Sequence, residues 1–283
     1  MTLTPSPAGG VQLPAEGARR IVHRTRGFAQ GGITRLMSPG DLGELVKPFV
    51  FLDHFEFARF DGPTLPMHPH SGIATHTTLL QGSLAYQDST GKSGVLRPQS
   101  VEWMQAGGGV WHTGAPLEGN TVRGFQLWVA LPAEIEHAPA DSHYVDVSTI
   151  PDDGRVRMLL GGIADMRSPI PYTGAVAYQH VRLREGERFT YQPPATHDVA
   201  WLAVSLGALR VSEHELRREM AVFEPGNIPI EMEAAGETEL VIGSAVRHPH
   251  PLVLGTYSVH TSPTALHIGV AGIRRVAEEL RSR

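Results

Sequence analysis

The sequence predicts an all-β protein made of two β-barrels in series and closed by a short helix. Three observations carry this. Over 48–131, and again over 156–244, short β-branched and aromatic runs alternate with Gly- and Pro-containing turns, the pattern of sandwiches and barrels. A stretch over 133–141, with a proline and several acidic residues, separates the two series. Convincing helical periodicity occurs only in the tail, where Ile273, Val276, Ala277 and Leu280 fall at i, i+3, i+4, i+7 with charges on the other face.

The elements follow in order. Residues 1–20 are rich in Pro, Gly and Ala and read as a loose arm; 20–24 has strand character. An apolar run over 48–55 is a buried strand, and Phe60-Asp61-Gly62-Pro63 is a turn. Strands are expected over 73–80, 84–88, 93–96, 101–104, 110–112 and 122–130, with a hairpin turn at Ser89-Thr90-Gly91-Lys92 and a tight turn at Gly107-Gly108-Gly109. The second series places strands at 156–160, 175–183, 189–191, 199–205, 209–211, 220–223 and 240–244. One internal echo links the halves. Leu79-Leu80-Gln81-Gly82-Ser83-Leu84 and Val204-Ser205-Leu206-Gly207-Ala208-Leu209 are each an apolar strand, a glycine turn and a return strand.

Composition bounds the function. With 283 residues, 41% apolar and 19% charged, the chain can bury a sizeable core. A net charge of -5 gives no footprint for nucleic acid. There is no cysteine, which excludes disulfides, thiolate nucleophiles and Cys-type metal sites. No segment approaches the ~18 consecutive apolar residues of a membrane helix, and residues 1–20 lack the basic start and apolar run of a signal peptide. A cytoplasmic protein is the expectation.

Position must select among the 15 histidines. In Met67-His68-Pro69-His70-Ser71-Gly72, two imidazoles stand two residues apart. On an extended segment both point to one face, because side chains alternate across a strand. Imidazole suits Fe, Ni, Cu and Zn, so the pair is half of a metal site. Trp111-His112-Thr113 is the best source of the other half. On spacing alone, a chance or surface pair stays an equal alternative. His76 shares the parity of His68 and His70 but lies ~20 Å along a straight strand, so an interior hydrogen-bonded histidine is expected. Glu102 reads as a structural hydrogen-bonding residue, Gln126 as a pocket residue, and His248-Pro249-His250 as a loop repeat of the triplet without the strands that would complete a site.

Several blocks, in this order, resemble the pirin family: Met67-His68-Pro69-His70-Ser71-Gly72, Leu80-Gln81-Gly82, Asp88-Ser89-Thr90-Gly91, Val101-Glu102-Trp103-Met104-Gln105-Ala106-Gly107, Val110-Trp111-His112 and Gly124-Phe125-Gln126-Leu127-Trp128-Val129. The likeness is strong over 48–132 and diffuse beyond. It implies a bicupin, two jelly-roll barrels facing each other, with an N-terminal cupin domain over 1–136 carrying the metal and a metal-free C-terminal one over 137–283. The resemblance implies one divalent transition metal, iron by preference with Zn, Ni, Cu or Mn as alternatives, held by His68, His70 and His112. The family's fourth ligand is a glutamate two residues after the third histidine. Here that position is Gly114. Three imidazoles plus water still make a competent site, while partial occupancy stays open.

The resemblance also implies quercetin 2,3-dioxygenase-type chemistry on a small aromatic molecule. The alternative is a non-enzymatic regulator binding a protein partner, with or without metal. A monomer is expected in either case.

Overall fold

The computed structural model describes residues 18–59, 66–117, 119 and 121–282. Most of the arm expected over 1–20 (residues 1–17) and the turn at 60–63 fall outside these; at the arm's described end Arg19 is not loose but buried, its guanidinium donating to the Glu224 and Asp198 carbonyls. The fold is all-β, as the alternating runs predict. The first seven-stranded sheet has the order Asp141–Val145, Val101–Gln105, Ile73–Gln81, Val122–Ala130, Phe49–Phe57, Ile33–Met37, Phe28–Gln30. It faces a four-stranded sheet of His68–His70, Val110–Pro116, Leu84–Asp88 and Ser93–Leu96. The second half repeats the arrangement. Its seven strands are ordered Ile21–Thr25, Met220–Phe223, Val199–Leu206, Thr238–Ala245, Val176–Leu183, Val156–Ile163, Met166–Arg167. Its four are Arg188–Tyr191, Ile230–Ala234, Leu209–Val211 and His214–Leu216. All strand pairs named here are antiparallel, so the alternation of each strand sets one face inward.

Each half lends a strand to the other. Ile21–Thr25 pairs with Met220–Phe223 in the second sheet, and Asp141–Val145 pairs with Val101–Gln105 in the first. The internal echo is a true structural equivalence. Gly82 and Gly207 both turn at positive φ, +80° and +76°. At each, a Cβ would overlap a backbone carbonyl oxygen, of Thr121 and Glu237 respectively, so both turns require glycine.

The halves pack through one shared core that includes Phe49, Trp103, Phe125, Leu160, Tyr178 and Trp201. The Phe49 and Trp201 rings meet edge-on at 5.4 Å. His76 belongs to this core and not to the face of His68 and His70. Gly72, at φ +71°, separates strands His68–His70 and Ile73–Gln81, so the parity argument, which assumed one regular strand, fails across the break. The His76 ring is fully buried, with Nε2 3.3 Å from the Leu159 carbonyl and Nδ1 3.2 Å from Thr78 Oγ1.

Burial pushes His54 and His76 down from 6.5 to about 4. The unfolded chain therefore binds protons below pH 6.5 that the native state refuses. Stability is complete above that pH and falls as pH drops from 6.5 toward 4, by on the order of 1 kcal/mol per unit for each group. Thermal melts over this window should show the loss, and His76→Gln should make it shallower. An unchanged slope in that variant would remove His76 from the account.

Some strands escape the sequence pattern. Ile33–Met37, Asp141–Val145, Ile230–Ala234, Val253–Gly255 and Ser258–His260 are strands, and Leu42–Val46 is a one-turn helix capped by Asp41. The C-terminal helix, Pro263–Arg281, starts at Ser262, whose side chain accepts from the Ala265 N–H. Its predicted stripe is half-buried. The tightest face is Ala265, Gly269 and Gly272. At Gly272 a Cβ would overlap the Gly108 carbonyl oxygen, and at Gly109 one would reach the Gly272 carbonyl carbon at 2.9 Å. The helix thus docks backbone to backbone on the glycine turn that leads into the His112 strand. Trp111 Nε1 donates to the Ile273 carbonyl at 3.0 Å across the same contact.

Candidate metal centre

Strands His68–His70 and Val110–Pro116 are antiparallel neighbours, with His112 opposite His68 and Val110 opposite His70. This register brings the three histidines together. Their rings stand 4.5–5.1 Å apart, centroid to centroid. One nitrogen from each falls within 4.8 Å of the others.

The partners of each ring decide which nitrogen carries the proton. His68 Nδ1 lies 3.0 Å from the Pro66 carbonyl and His70 Nδ1 2.9 Å from the Tyr257 carbonyl. His112 Nδ1 stands 3.5 Å from Glu102 Oε1. Carbonyl and carboxylate oxygens only accept, so each Nδ1 carries the hydrogen and each Nε2 is left as a bare lone pair. Nε2 of His112 and Nε2 of His68 then face each other at 3.1 Å with no proton between them. Two lone pairs at that distance repel unless a cation lies beside them. Burial and the neighbouring His112 push His68 down to about 4, and burial holds His70 well below 6.5. Both are neutral at pH 7, the form that donates to a metal.

The three rings open into a cavity of about 1010 Å³ inside the first barrel. Its walls are aromatic. Phe51 stacks on Trp128 at 4.1 Å, Tyr86 on Tyr144 at 3.5 Å, and Trp128 meets His70 edge-on at 4.9 Å. Across its floor runs one polar row set by strand register: Tyr144, Glu102, Thr77, Gln126, Asp53 and Arg35 are successive cross-strand neighbours, and all line the cavity. Thr77 Oγ1 donates to Glu102 Oε2 at 2.6 Å, and the Gln126 amide lies 2.9 Å from the same hydroxyl. Arg35 grips Asp53 with two N–H groups and covers the Phe51 ring at 3.9 Å. Burial raises the Asp53 carboxyl despite that arginine. For Glu102 burial also opposes the charge, but His112 and Thr77 outweigh it and hold the carboxyl below its ordinary value.

Gly114 lines the cavity two residues beyond His112, and an added Cβ there would meet nothing within 4 Å. Gln126 lines the cavity as expected. His248 and His250 lie in a loop, rings 5.5 Å apart, and neither borders the cavity. Sequence reasoning missed the lid. Leu254, Gly255, Tyr257 and Ser258 close the cavity from the far end of the chain, and Tyr257 reaches His70 from a left-handed backbone, φ +60°. It also missed a second group with metal-site spacing, Glu136, His137 and His260. There His260 is already bonded on both nitrogens, to Glu136 at 3.0 Å and Ser71 at 3.0 Å. This buried chain ties the C-terminal segment to the residue after His70, and none of its members lines the cavity described above.

Register also compares the two barrels. In the second barrel, Arg188–Tyr191 and Ile230–Ala234 stand where His68–His70 and Val110–Pro116 stand in the first, and the Leu84–Leu209 equivalence carried through the register puts Ile230 at the place of His112 and Tyr191 at that of His68. Both side chains pack in the second barrel's own core.

Two facing cupin-type barrels, one enclosing a three-histidine cluster over an aromatic cavity, define the class. The comparisons give the family. A sequence model named Pirin matches residues 32–129. A pirin-like protein of Caulobacter vibrioides is 32% identical over 215 residues, 70% of this chain and 74% of that protein. The chain belongs to the pirin family. A Pseudomonas aeruginosa protein provisionally named quercetin 2,3-dioxygenase is 30% identical over 77% of this chain and 82% of its own. Among solved structures, quercetin 2,3-dioxygenase from Acinetobacter baumannii superposes with a TM-score of 0.79 at 23% identity, over 92% of this chain and 96% of that one. A bacterial pirin from Escherichia coli, solved in complex with nickel(II), gives 0.64 at 16% identity over 81% and 98%. Among the described residues, no helix is long and apolar enough to cross a membrane.

Proposed function

We propose that this pirin binds one divalent transition metal through Nε2 of His68, His70 and His112 in a first, N-terminal cupin domain. We further propose that it acts as a quercetin 2,3-dioxygenase-type oxidoreductase on a small hydroxylated aromatic molecule. The observation that carries the metal reading is the pair of bare nitrogens at 3.1 Å: the donor set fits a cation and is strained without one. Neutral imidazoles suit iron, nickel, copper or zinc alike. The second, C-terminal domain is read as metal-free, because Tyr191 and Ile230, at the places of His68 and His112, offer no imidazole. A bound metal would supply a Lewis acid that polarises and orients a substrate oxygen.

The chain's own residues do the rest. The stacked pairs Phe51–Trp128 and Tyr86–Tyr144 give the cavity an aromatic lining that suits an apolar ring. Thr77, Gln126 and Asp53 present hydrogen-bonding groups along the floor, toward the hydroxyls of such a ring. The open space at Gly114 leaves room beside His112 for a ligand oxygen, where the family's glutamate side chain would stand. In that respect this chain represents a glutamate-lacking form of the site.

Oxygen uptake with a flavonol by metal-loaded protein tests the activity. Uptake should be lost in His112→Ala; equal rates in both proteins would sink the dioxygenase reading. Restoring the carboxylate is a separate test. Because position 114 is open, Gly114→Glu should fold normally and raise affinity for nickel(II) or iron(II) by at least ~10-fold, the lower end of the 10–100-fold scale seen for groups that tune metal sites. No change would mean that a carboxylate at 114 cannot reach the ion.

A further inference from the structure

We propose that Glu102 supplies the negative charge of this site, acting as a positioning residue on the metal through His112; this rests on the metal reading above. The three imidazoles are not held alike. His68 and His70 lean on neutral carbonyls, of Pro66 and Tyr257. Among the described residues, a carboxylate backs His112 alone of the three, at 3.5 Å. Glu102 is 7% exposed and His112 6%, so water screens the pair little. The carboxylate is also fixed in direction, because Thr77 Oγ1 occupies its other oxygen at 2.6 Å.

Among the described residues, two acidic side chains border the cavity, Asp53 and Glu102. Asp53 is matched by the two-pronged Arg35 and brings no net charge. Among the described residues the ion-pair partner of Glu102 is His112. A buried anion whose partner is a neutral imidazole draws the Nδ1 proton toward itself and pushes electron density onto Nε2. That makes His112 the strongest donor of the three. Gly114 removes the direct carboxylate ligand, and Glu102 returns its charge one bond network further out. The place behind His112 holds what position 114 lacks.

The test uses the full-length metal-free protein titrated with nickel(II) by calorimetry and with cobalt(II) by visible absorption. Glu102→Gln keeps an acceptor for the Nδ1 hydrogen and removes only the charge. Nickel affinity should fall by roughly 10–100-fold and the cobalt d–d bands should shift, as for loss of an outer partner of a ligating histidine. Adding Gly114→Glu to Glu102→Gln should recover the affinity. If wild type binds one equivalent and Glu102→Gln binds within about threefold of it, well short of that 10–100-fold range, the inference is overturned while the three-histidine site stands. If wild type itself takes up neither metal, both readings fall. Should Glu102→Gln not fold, Thr77→Val releases the carboxylate without changing its charge; weaker nickel binding supports the inference, and unaltered binding with an unaltered cobalt spectrum overturns it.

Discussion

Replacing His112 by alanine is expected to abolish stoichiometric metal binding. The change removes one of three donors and also strands Glu102, whose partner it is. Affinity should fall by well over the 10–100-fold that loss of an outer partner costs. A metal that binds the native state stabilises it by about 2.7 kcal/mol at a concentration 100 times its dissociation constant. The thermal readout is therefore direct: nickel(II) should raise the melting temperature of wild type and leave His112→Ala unmoved. The metal-free variant is expected to melt below metal-free wild type, because Glu102 is left buried without its partner, so the nickel effect is read within each protein. A variant that still gains stability from nickel would show that the ion binds elsewhere, with the Glu136, His137 and His260 group as the first place to look.

Gly272→Ala is expected to destabilise the protein, against the helix propensity of the two residues. In an exposed helix the change would be favourable by about 1 kcal/mol. Here the new methyl group meets the Gly108 carbonyl oxygen. Backbone cannot swing aside as a flexible side chain can, so the helix must lift from the glycine turn. A net loss of about 1–3 kcal/mol is expected. The hydrogen bond from Trp111 to Ile273 would break with it, so tryptophan emission should shift to the red even where the fold survives. Denaturant melts and fluorescence check both points. A more stable variant would mean that the helix does not press on the turn.

The site was partly legible because its first half is local. A His-x-His step on a strand places two rings on one face whatever the rest of the chain does, and His112 could be joined to it through the resemblance. The supports of those rings were not legible. Pro66 is near in sequence, but Tyr257 comes back from the far end of the chain to hold His70, and no spacing rule connects the two. Glu102 was read as a hydrogen-bonding residue, which it is. Its place behind His112 depends on the packing of two sheets. The polar row from Tyr144 to Arg35 was hidden for another reason. Its members lie on different strands and line up only when register is known. His76 is the interior, hydrogen-bonded histidine its place along the chain predicts; only its shared parity with His68 and His70 is lost, because the glycine break at Gly72 resets it.

The fold was legible wherever strands are apolar and bounded by turn residues. Leu84–Asp88, Val122–Ala130 and Met220–Phe223 are placed to the residue. The strand Asp141–Val145 was hidden because its inward groups are polar: Ser142 Oγ and Tyr144 OH each donate to Asp88 Oδ2, at 2.7 and 2.8 Å. Ile230–Ala234 carries glutamates at alternate positions, Glu231 and Glu233.

The reciprocal loan of strands has a consequence for how the chain is made. Ile21–Thr25 is made well before Met220–Phe223, the strand it pairs with. The first barrel lacks its outer strand until Asp141–Val145 has followed, and the second cannot close without a segment made long before. An unpaired edge recruits other strands. Released alone, the C-terminal half would lack its partner for Met220–Phe223 and should aggregate. Domain-wise folding during translation is thus open to the first barrel only once Asp141–Val145 has been made. Completion of the second awaits a strand that the nascent chain has kept in reserve.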